Sequence, residues 1–433
     1  MEQRYYLCSG PGKKDYFSLP SGWEVTDFVE SPPPEVAPVA EMALNALTKP
    51  AGVKPLRELC AGARSIAVII DDATRPTPVA QILGVLLPHL VDTGIEKERV
   101  TIVIALGTHV PLDGKALENR VGKEVVAAYR IVQHDARQAD LVPVAIPGDA
   151  RKLKANPVVA RADLKIGVSS ILPHPMAGFG GGPKILMPGV CDFDFIMDHH
   201  MRLTVHPNAK TGVTKGNPFH EDCMKVAHAI GLDFSINCVY DQQGEIVGII
   251  GGGLESAFDA ATAVCAQKLG HRFDSKVDVT ITSTYPHTHG HQFAKGLSAP
   301  DVITRETGAI LMAAPLVQPV PDFFTASFKA VTGRCAGADP AAFIRETMSA
   351  GRPFLPDKAV EFNMAMSCFF LRPRIRTVLA SSMVSREEAA AMGLEHAPTL
   401  AEGLGRLAAS YPKAKVAVLP SGGLVIPTLD GRH

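Results

Sequence analysis

Residues 65–94 read "SIAVIIDDATRPTPVAQILGVLLPHLVDTG". Residues 65–70 form a short β-branched apolar run. From 78 to 94 the apolar residues fall at helical spacing, and Gly94 supplies a stop signal. Between them "DDATRPTP" (71–78) is polar and turn-rich. A strand that is apolar throughout and runs straight into a helix is a strand buried on both faces, the hallmark of a parallel sheet covered by helices.

The same alternation recurs outward from this stretch. Further strands are expected at "RVTIVIAL" (99–106), "DLKIGVSSIL" (163–172), "VDVTITST" (277–284), "GAILMAA" (308–314), "RTVLASS" (376–382) and "KVAVLP" (415–420). The expected class is α/β, with two α/β domains of mainly parallel sheets. A polar stretch at 268–276, "KLGHRFDSK", sets the division into residues 1–270 and 271–433, with the active site in the cleft between the domains. "SPPPEVAP" (31–38) reads as a stiff connector.

Composition narrows the function classes. Of 433 residues 46% are apolar and 20% charged, ample for large cores and unlike a disordered chain. Lys plus Arg number 43 against 44 acidic residues, which argues against nucleic acid or an anionic membrane surface as the main partner. The start of the chain lacks an apolar secretory stretch, and no segment has a run long enough to span a membrane. The eight cysteines are scattered without a C-x-x-C pair, as expected of free thiols in a reducing cytoplasm.

Ligands of open parallel sheets bind beyond the carboxyl ends of the strands. Those ends here deliver Asp71, Asp72, Thr74 and Arg75; Thr108 and His109; His174 with the glycine loop "HPMAGFGGGPKILMPG" (174–189); and "YPHTHGHQFAK" (285–295), with His287, His289, His291, Gln292 and Lys295. Arginine, histidines and lysine on four strand ends describe a site for a small anionic substrate. Arg75 is either a bidentate carboxylate clamp or a bridge to Asp71 or Asp72. His109 and His174 are candidates for a general acid and base. The glycine loop is not a Walker motif, because Pro183 precedes Lys184 and Ile185 follows it, although Gly180, Gly181 and Gly182 can offer N–H groups to a phosphate.

In "DFDFIMDHHMRL" (192–203), Phe193, Ile196, Met197 and His200 make one helical stripe, so His200 is expected to face inward and His199 to turn away. His200 is then a satisfied core histidine or a neutral imidazole for a metal. The "HTHGH" cluster matches no zinc spacing and is read as a loop lining the cleft. "GGGLES" (251–256) is a turn before a helix.

Taken in order, "DDATRPTP", "ALGTH", "HPMAGFGGGPK", "DHH" and "QFAKG" resemble the nickel-dependent lactate racemase family across nearly the whole chain. These are α-hydroxyacid racemases and epimerases that use a nickel-pincer nucleotide, a pyridinium-3,5-bisthiocarboxylic acid mononucleotide carrying nickel. The resemblance implies a covalent link at Lys184, nickel coordination by His200 and acid/base roles for His109 and His174. It further implies substrate binding by Arg75, Gln292, Lys295 and His291, and cofactor contacts from Asp72, Thr74 and the glycines 180–182. The domain 1–270 would bind the cofactor, and 271–433 would close over the substrate site. Partners would be a small 2-hydroxyacid and the cofactor-maturation proteins. Two departures stand out: His291 precedes the glutamine where lactate-active members carry tyrosine, and Phe362 takes the place of a tryptophan lid, since the only tryptophan is Trp23. They imply a substrate more polar than lactate, such as malate or a sugar acid. The alternatives are lactate racemase proper, a phosphate- or nucleotide-binding enzyme using the glycine loop, a non-catalytic binding protein and a zinc hydrolase.

Overall fold

Two six-stranded sheets carry the fold, in a computed structural model that describes residues 4–30, 36–335, 337–356 and 360–429. Strand β1 (Trp23–Phe28) belongs to one sheet and β2 (Ile66–Asp71) to the other. β2 is buried along its whole length, as its apolar run requires. It pairs in parallel with β3 (Val100–Ala105), beyond which lies β4 (Arg130–Gln133). On its other side it pairs in parallel with β5 (Leu164–Ser170), beyond which lies β6 (Phe234–Tyr240). β7 (Ile246–Gly252) closes that edge antiparallel to β6.

The spatial order β7-β6-β5-β2-β3-β4 makes the chain leave β2 in one direction first and the other later. The switch point falls between β2 and β5, and their carboxyl ends open the crevice where ligands bind in such sheets. Helix α1 (Val79–Val91) follows β2 and buries Ile82, Leu83, Leu86, Leu87 and Leu90, the helical spacing read from the sequence. Helices α2 (Gly114–Val121), α3 (Phe193–Thr204) and α4 (Pro218–Ile230) begin on side-chain caps from Asp113, Asp192 and Asn217.

The second sheet is built of β8 (Val277–Ser283), β9 (Thr304–Ala313), β10 (Arg376–Ala380), β11 (Glu395–Ala397) and β12 (Ala414–Leu419), in the order β11-β10-β9-β8-β12-β1. All its pairings are parallel. Leu311, Val378, Val418 and Leu407 meet in its core.

Every strand expected from the sequence is present. β6 escaped the reading because Ser235 and Asn237 interrupt the apolar run of "FSINCVY", and β7 because glycines punctuate "IVGIIGG". Ser235 and Asn237 are both buried, and the Asn237 amide and the Ser169 hydroxyl satisfy each other and Ser235 through hydrogen bonds of 3.0–3.3 Å.

The division by sequence order needs correction. One unit comprises Pro34–Tyr240 with Ile246–Cys265, and the other comprises Met1–Pro33, Asp241–Glu245 and Ala266–His433. The first 33 residues leave the expected domain 1–270 because β1 pairs with β12, more than 380 residues later. No composition shift announces such a pairing. Most of "SPPPEVAP", and the side chains of His291 and Phe362, lie outside the described residues. Among the described residues no helix is long and apolar enough to cross a membrane.

Candidate active site

The ends of β5, β2 and β3 lie side by side, and they bring together the polar residues that the sequence distributes over a hundred positions. After β2, the Asp72 carboxylate accepts on Oδ1 from the Thr74 backbone N–H (2.9 Å) and the Thr74 hydroxyl (2.5 Å). Its Oδ2 is paired with His109 Nδ1, which the turn after β3 supplies. Burial works against ionisation of Asp72, but the charge and hydrogen bond of His109, then Arg75 and Thr74, outweigh it and hold the carboxyl well below its usual range. An ionised carboxylate only accepts, so Nδ1 of His109 carries a proton, and in the neutral ring Nε2 is the nitrogen left to act as a base.

Asp72 and Thr74 were expected to contact a cofactor. Both oxygens of Asp72 are engaged within the chain, Oδ1 by Thr74 and Oδ2 by His109. Arg75 does not bridge to Asp71 or Asp72: Asp71 pairs with Arg120 and Asp72 with His109. The Arg75 guanidinium contacts the Thr74 hydroxyl (2.8 Å) and makes no ion pair among the described residues, which leaves its donors to an incoming anion.

His174 is held the opposite way. It sits in a two-residue strand paired with Gly178–Phe179, and the tight turn between them aims the N–H groups of Met176 (3.3 Å) and Ala177 (3.1 Å) at its Nδ1. Nδ1 is thus an acceptor, and the neutral ring carries its proton on Nε2. One histidine is set to receive a proton and the other to donate a hydrogen bond.

Two of the three glycine N–H groups of the loop are turned into the chain. Gly180 N–H donates to Leu172 O (2.7 Å) and Gly182 N–H to the Ser169 hydroxyl (3.1 Å), so neither is offered to a ligand. The glycines answer to close packing. Gly181 and Gly182 have φ of +70° and +51°, and a Cβ on Gly182 would stand 2.2 Å from the Phe258 ring. This tight turn projects Lys184 from a 3-10 segment, Gly182–Ile185. The Lys184 Nζ lies 5.0 Å from the Phe219 ring centroid and has no ion pair among the described residues. Burial lowers its pKa, and the charge of Arg75 lowers it further.

Phe219, in the first turn of α4, is a hub that the sequence reading missed. Ring centroids of His199, His200 and His174 lie 4.4, 5.0 and 6.3 Å from its own. The expectation that His199 turns away from the core is also corrected: His199 is 0% exposed and His200 8%. A single stripe assumes one packed face, whereas α4 covers α3 on a second side. His199 Nε2 lies 3.2 Å from Phe219 O, and the Nδ1 atoms of His199 and His200 are 3.2 Å apart. His200 Nδ1 is also 3.0 Å from Ile196 O. The arrangement that satisfies all three puts His199's proton on Nε2 and His200's on Nδ1, leaving the Nε2 lone pair of His200 unused. Burial, then the charge of Lys184, pushes His199 to about 3; burial, then the charges of His199 and Lys184, push His200 well below the ordinary imidazole value, so both are neutral. A buried neutral imidazole with a fixed tautomer is the form that binds a metal.

His220 is a further residue not anticipated. It is buried, stacks on Phe258 at 5.0 Å, and its Nδ1 has no hydrogen-bond partner. Among the described residues, no three His, Cys, Asp or Glu side chains gather as a metal site, so a metal at His200 would need donors from a bound group.

In the other unit, the segment after β8 forms a 3-10 helix, Gly290–Leu297. His287 and Gln292 on this segment are buried, whereas His289 and Lys295 are half-buried.

Comparison with known proteins agrees with this layout. Residues 12–212 match the lactate racemase N-terminal domain. A lactate racemase of Thermoanaerobacterium thermosaccharolyticum is 30% identical over 283 residues, covering 63% of this chain and 65% of that protein. One of Lactiplantibacillus plantarum is 30% identical over 278 residues, with the same coverage. The match thus spans slightly less than two thirds of these relatives' length. The solved structure of the Thermoanaerobacterium lactate racemase apoprotein superposes with a TM-score of 0.84 at 25% identity, covering 98% of this chain and 100% of that one. A Thermotoga maritima protein shares the fold, with a TM-score of 0.65 at 16% identity over 90% of this chain and 98% of its own. By these comparisons the chain is similar to lactate racemases, in sequence over its N-terminal part and in fold over nearly its whole length.

Proposed function

We propose that the chain is a 2-hydroxyacid racemase or epimerase that works with a nickel-pincer nucleotide held at Lys184 and His200. The observation that carries this reading is the opposed hydrogen bonding of two histidines that follow the strands on either side of β2, His109 presenting a base nitrogen and His174 an N–H.

The residues fit such a group. Lys184 is a half-buried lysine whose pKa burial lowers and which has no ion pair among the described residues, and His200 offers an imidazole Nε2 with its lone pair unused. When bound, the nucleotide supplies an acceptor for the C2 hydrogen as hydride, which avoids a carbanion at a weakly acidic carbon. Arg75 takes the substrate carboxylate in its planar fork. The hydroxyl proton passes to His109 Nε2, and the Asp72 carboxylate stabilises the imidazolium that forms. His174 donates from Nε2 to the substrate oxygen. Return of the hydride to the other face of the reoriented keto acid, with a proton supplied from His174 Nε2, would restore the hydroxyl with C2 inverted.

The substrate is more polar than lactate, a malate-like acid or a sugar acid. Support comes from the segment 287–295, where His291 replaces tyrosine and His287, His289, Gln292 and Lys295 add polar groups. Lactate itself is the second reading, favoured by the names of the two relatives. The partners are this substrate and the maturation proteins that build and load the nucleotide.

The test is to co-express the chain with maturation enzymes, measure intact mass and nickel, and offer single-enantiomer 2-hydroxyacids with chiral detection. Added mass, bound nickel and appearance of the opposite configuration are expected. Unchanged mass and no nickel, under conditions that load a known racemase, would sink the cofactor assignment. Fastest turnover of lactate would overturn the polar-substrate reading.

A further inference from the structure

Arg120 lies on α2, outside every motif that points to the site, and its side chain is 9% exposed. Its guanidinium is wholly occupied by the loop after β2. Nε donates to Asp71 O (3.1 Å), Nη1 to Arg75 O (3.0 Å) and Thr77 O (2.9 Å), and Nη2 to Asp71 O (3.0 Å) and to the Asp71 carboxylate. Asp71 Oδ2 in turn accepts from the Thr77 hydroxyl (2.6 Å), which meets Ser170 Oγ (2.5 Å). That hydroxyl continues to Tyr240 (2.6 Å).

All five N–H groups of one arginine therefore close on a single seven-residue turn. A turn of this kind exposes backbone carbonyls that no neighbouring strand can satisfy, and each would carry a desolvation penalty if left unpaired. Arg120 removes that penalty and fixes the shape at the same time. The residues that reach the site stand between the carbonyls it grips: Asp72 and Thr74 lie between Asp71 and Arg75, and the backbone of Arg75 is itself gripped.

We propose that Arg120 is a positioning residue, a guanidinium template that holds residues 71–77 in the one shape in which Asp72 meets His109 Nδ1 and Arg75 stays without an ion pair. The catalytic consequence rests on the function proposed above; the structural one does not. Lysine cannot replace it, because a point charge with three donors cannot span carbonyls on opposite sides of the turn.

The experiment uses the full-length protein without cofactor and reads the downfield proton resonance of His109 Nδ1–H, the signature of its hydrogen bond to Asp72. In R120A and R120K this resonance is lost or moves upfield. Millimolar guanidinium returns it in R120A by occupying the vacated space. A wild-type resonance in folded R120A would overturn the proposal, as would full rescue by lysine. If neither variant folds, hydrogen exchange in the wild type decides: Arg120 Nε–H exchanges far more slowly than Arg75 Nε–H, and equal rates would overturn it. In the loaded enzyme, kcat/KM of R120K falls about tenfold to a hundredfold. If wild type racemises nothing while the His109 signal behaves as described, the proposed function fails and this inference stands.

Discussion

Two loops flank the switch point of the first sheet, and they are made rigid in opposite ways. The loop after β2, residues 71–77, is polar, and side chains from elsewhere hold it: Arg120 grips its carbonyls and His109 pairs with Asp72. The loop after β5, residues 180–185, is held by its own backbone. Its N–H groups turn inward to Leu172 O and Ser169, and Phe258 closes on Gly182. The first geometry sets protonation, through an ionised carboxylate. The second sets position, by allowing one conformation for the residues that carry Lys184. A charge-neutralising change should therefore cripple the first loop while the fold survives, and a single methyl group should strain the second.

The largest effect is expected at Lys184. With Lys184→Met the loop keeps its packing, but the proposed attachment point is gone, and activity should fall by at least about 10⁴-fold. The check is intact mass after co-expression with maturation enzymes: wild type gains the nucleotide and the variant does not. Equal mass gain in both would detach the cofactor from this lysine.

Next comes the charge at Asp72. Asp72→Asn keeps the volume and can still cap Thr74, yet it no longer demands a proton on His109 Nδ1. Roughly a hundredfold to ten-thousandfold loss of kcat is expected, with a small change in KM and a melting temperature near wild type. If KM rises while kcat holds, Asp72 contacts substrate or cofactor after all, and the contrast between the loops is misdrawn.

The sequence showed these loops unequally. Residues 65–94 disclosed β2, its loop and α1, because a buried strand and an amphipathic helix each have a period that sequence displays. The strand-end rule gathers Arg75, His109 and His174 at one edge of the sheet. What sequence could not show were facts that depend on two elements at once. His199 looked turned away because one helix has one stripe, and only the packing of α4 onto α3 gives it a second buried side. Phe219 looked like any apolar residue in a first turn. Arg120 is silent, since four of its five hydrogen bonds go to main-chain carbonyls, which leave no mark in residue identity. The N–H groups of Gly180 and Gly182 are unreadable for a related reason: composition does not say which way an N–H points, and here both are taken up within the chain.

The glycines allow a comparison within the second loop. Gly182→Ala would place a Cβ 2.2 Å from Phe258 at a φ of +51°, whereas a Cβ on Gly180 meets nothing nearer than 3.8 Å. The first substitution should destabilise by about 3 kcal/mol and the second by less than about 1 kcal/mol. Thermal denaturation of the apoprotein reads both. Equal losses would mean that Phe258 moves freely and that packing does not hold this loop.

The smallest effect is a dependence on pH, and it probes the same Phe258 from its other side. His220 stacks on that ring; burial first, and the charge of Lys184 second, lower its pKa to about 4. In the unfolded chain a histidine titrates near about 6.5. Between these values the unfolded state binds a proton that the native state refuses, so stability falls as pH drops from about 6.5 towards about 4. Above about 6.5 the ring is neutral in both states and contributes no slope. His220→Phe removes the proton and keeps an aromatic face against Phe258. At pH 5 wild type should therefore have lost about 2 kcal/mol that the variant retains, while near pH 7.5 this contribution vanishes. Denaturant melts of both proteins across that range measure the difference directly. A constant difference between them would mean that His220 takes up its proton in the folded protein as readily as in water. The wall behind Lys184 would then be wet, and the lowered pKa of the lysine would lose its physical cause.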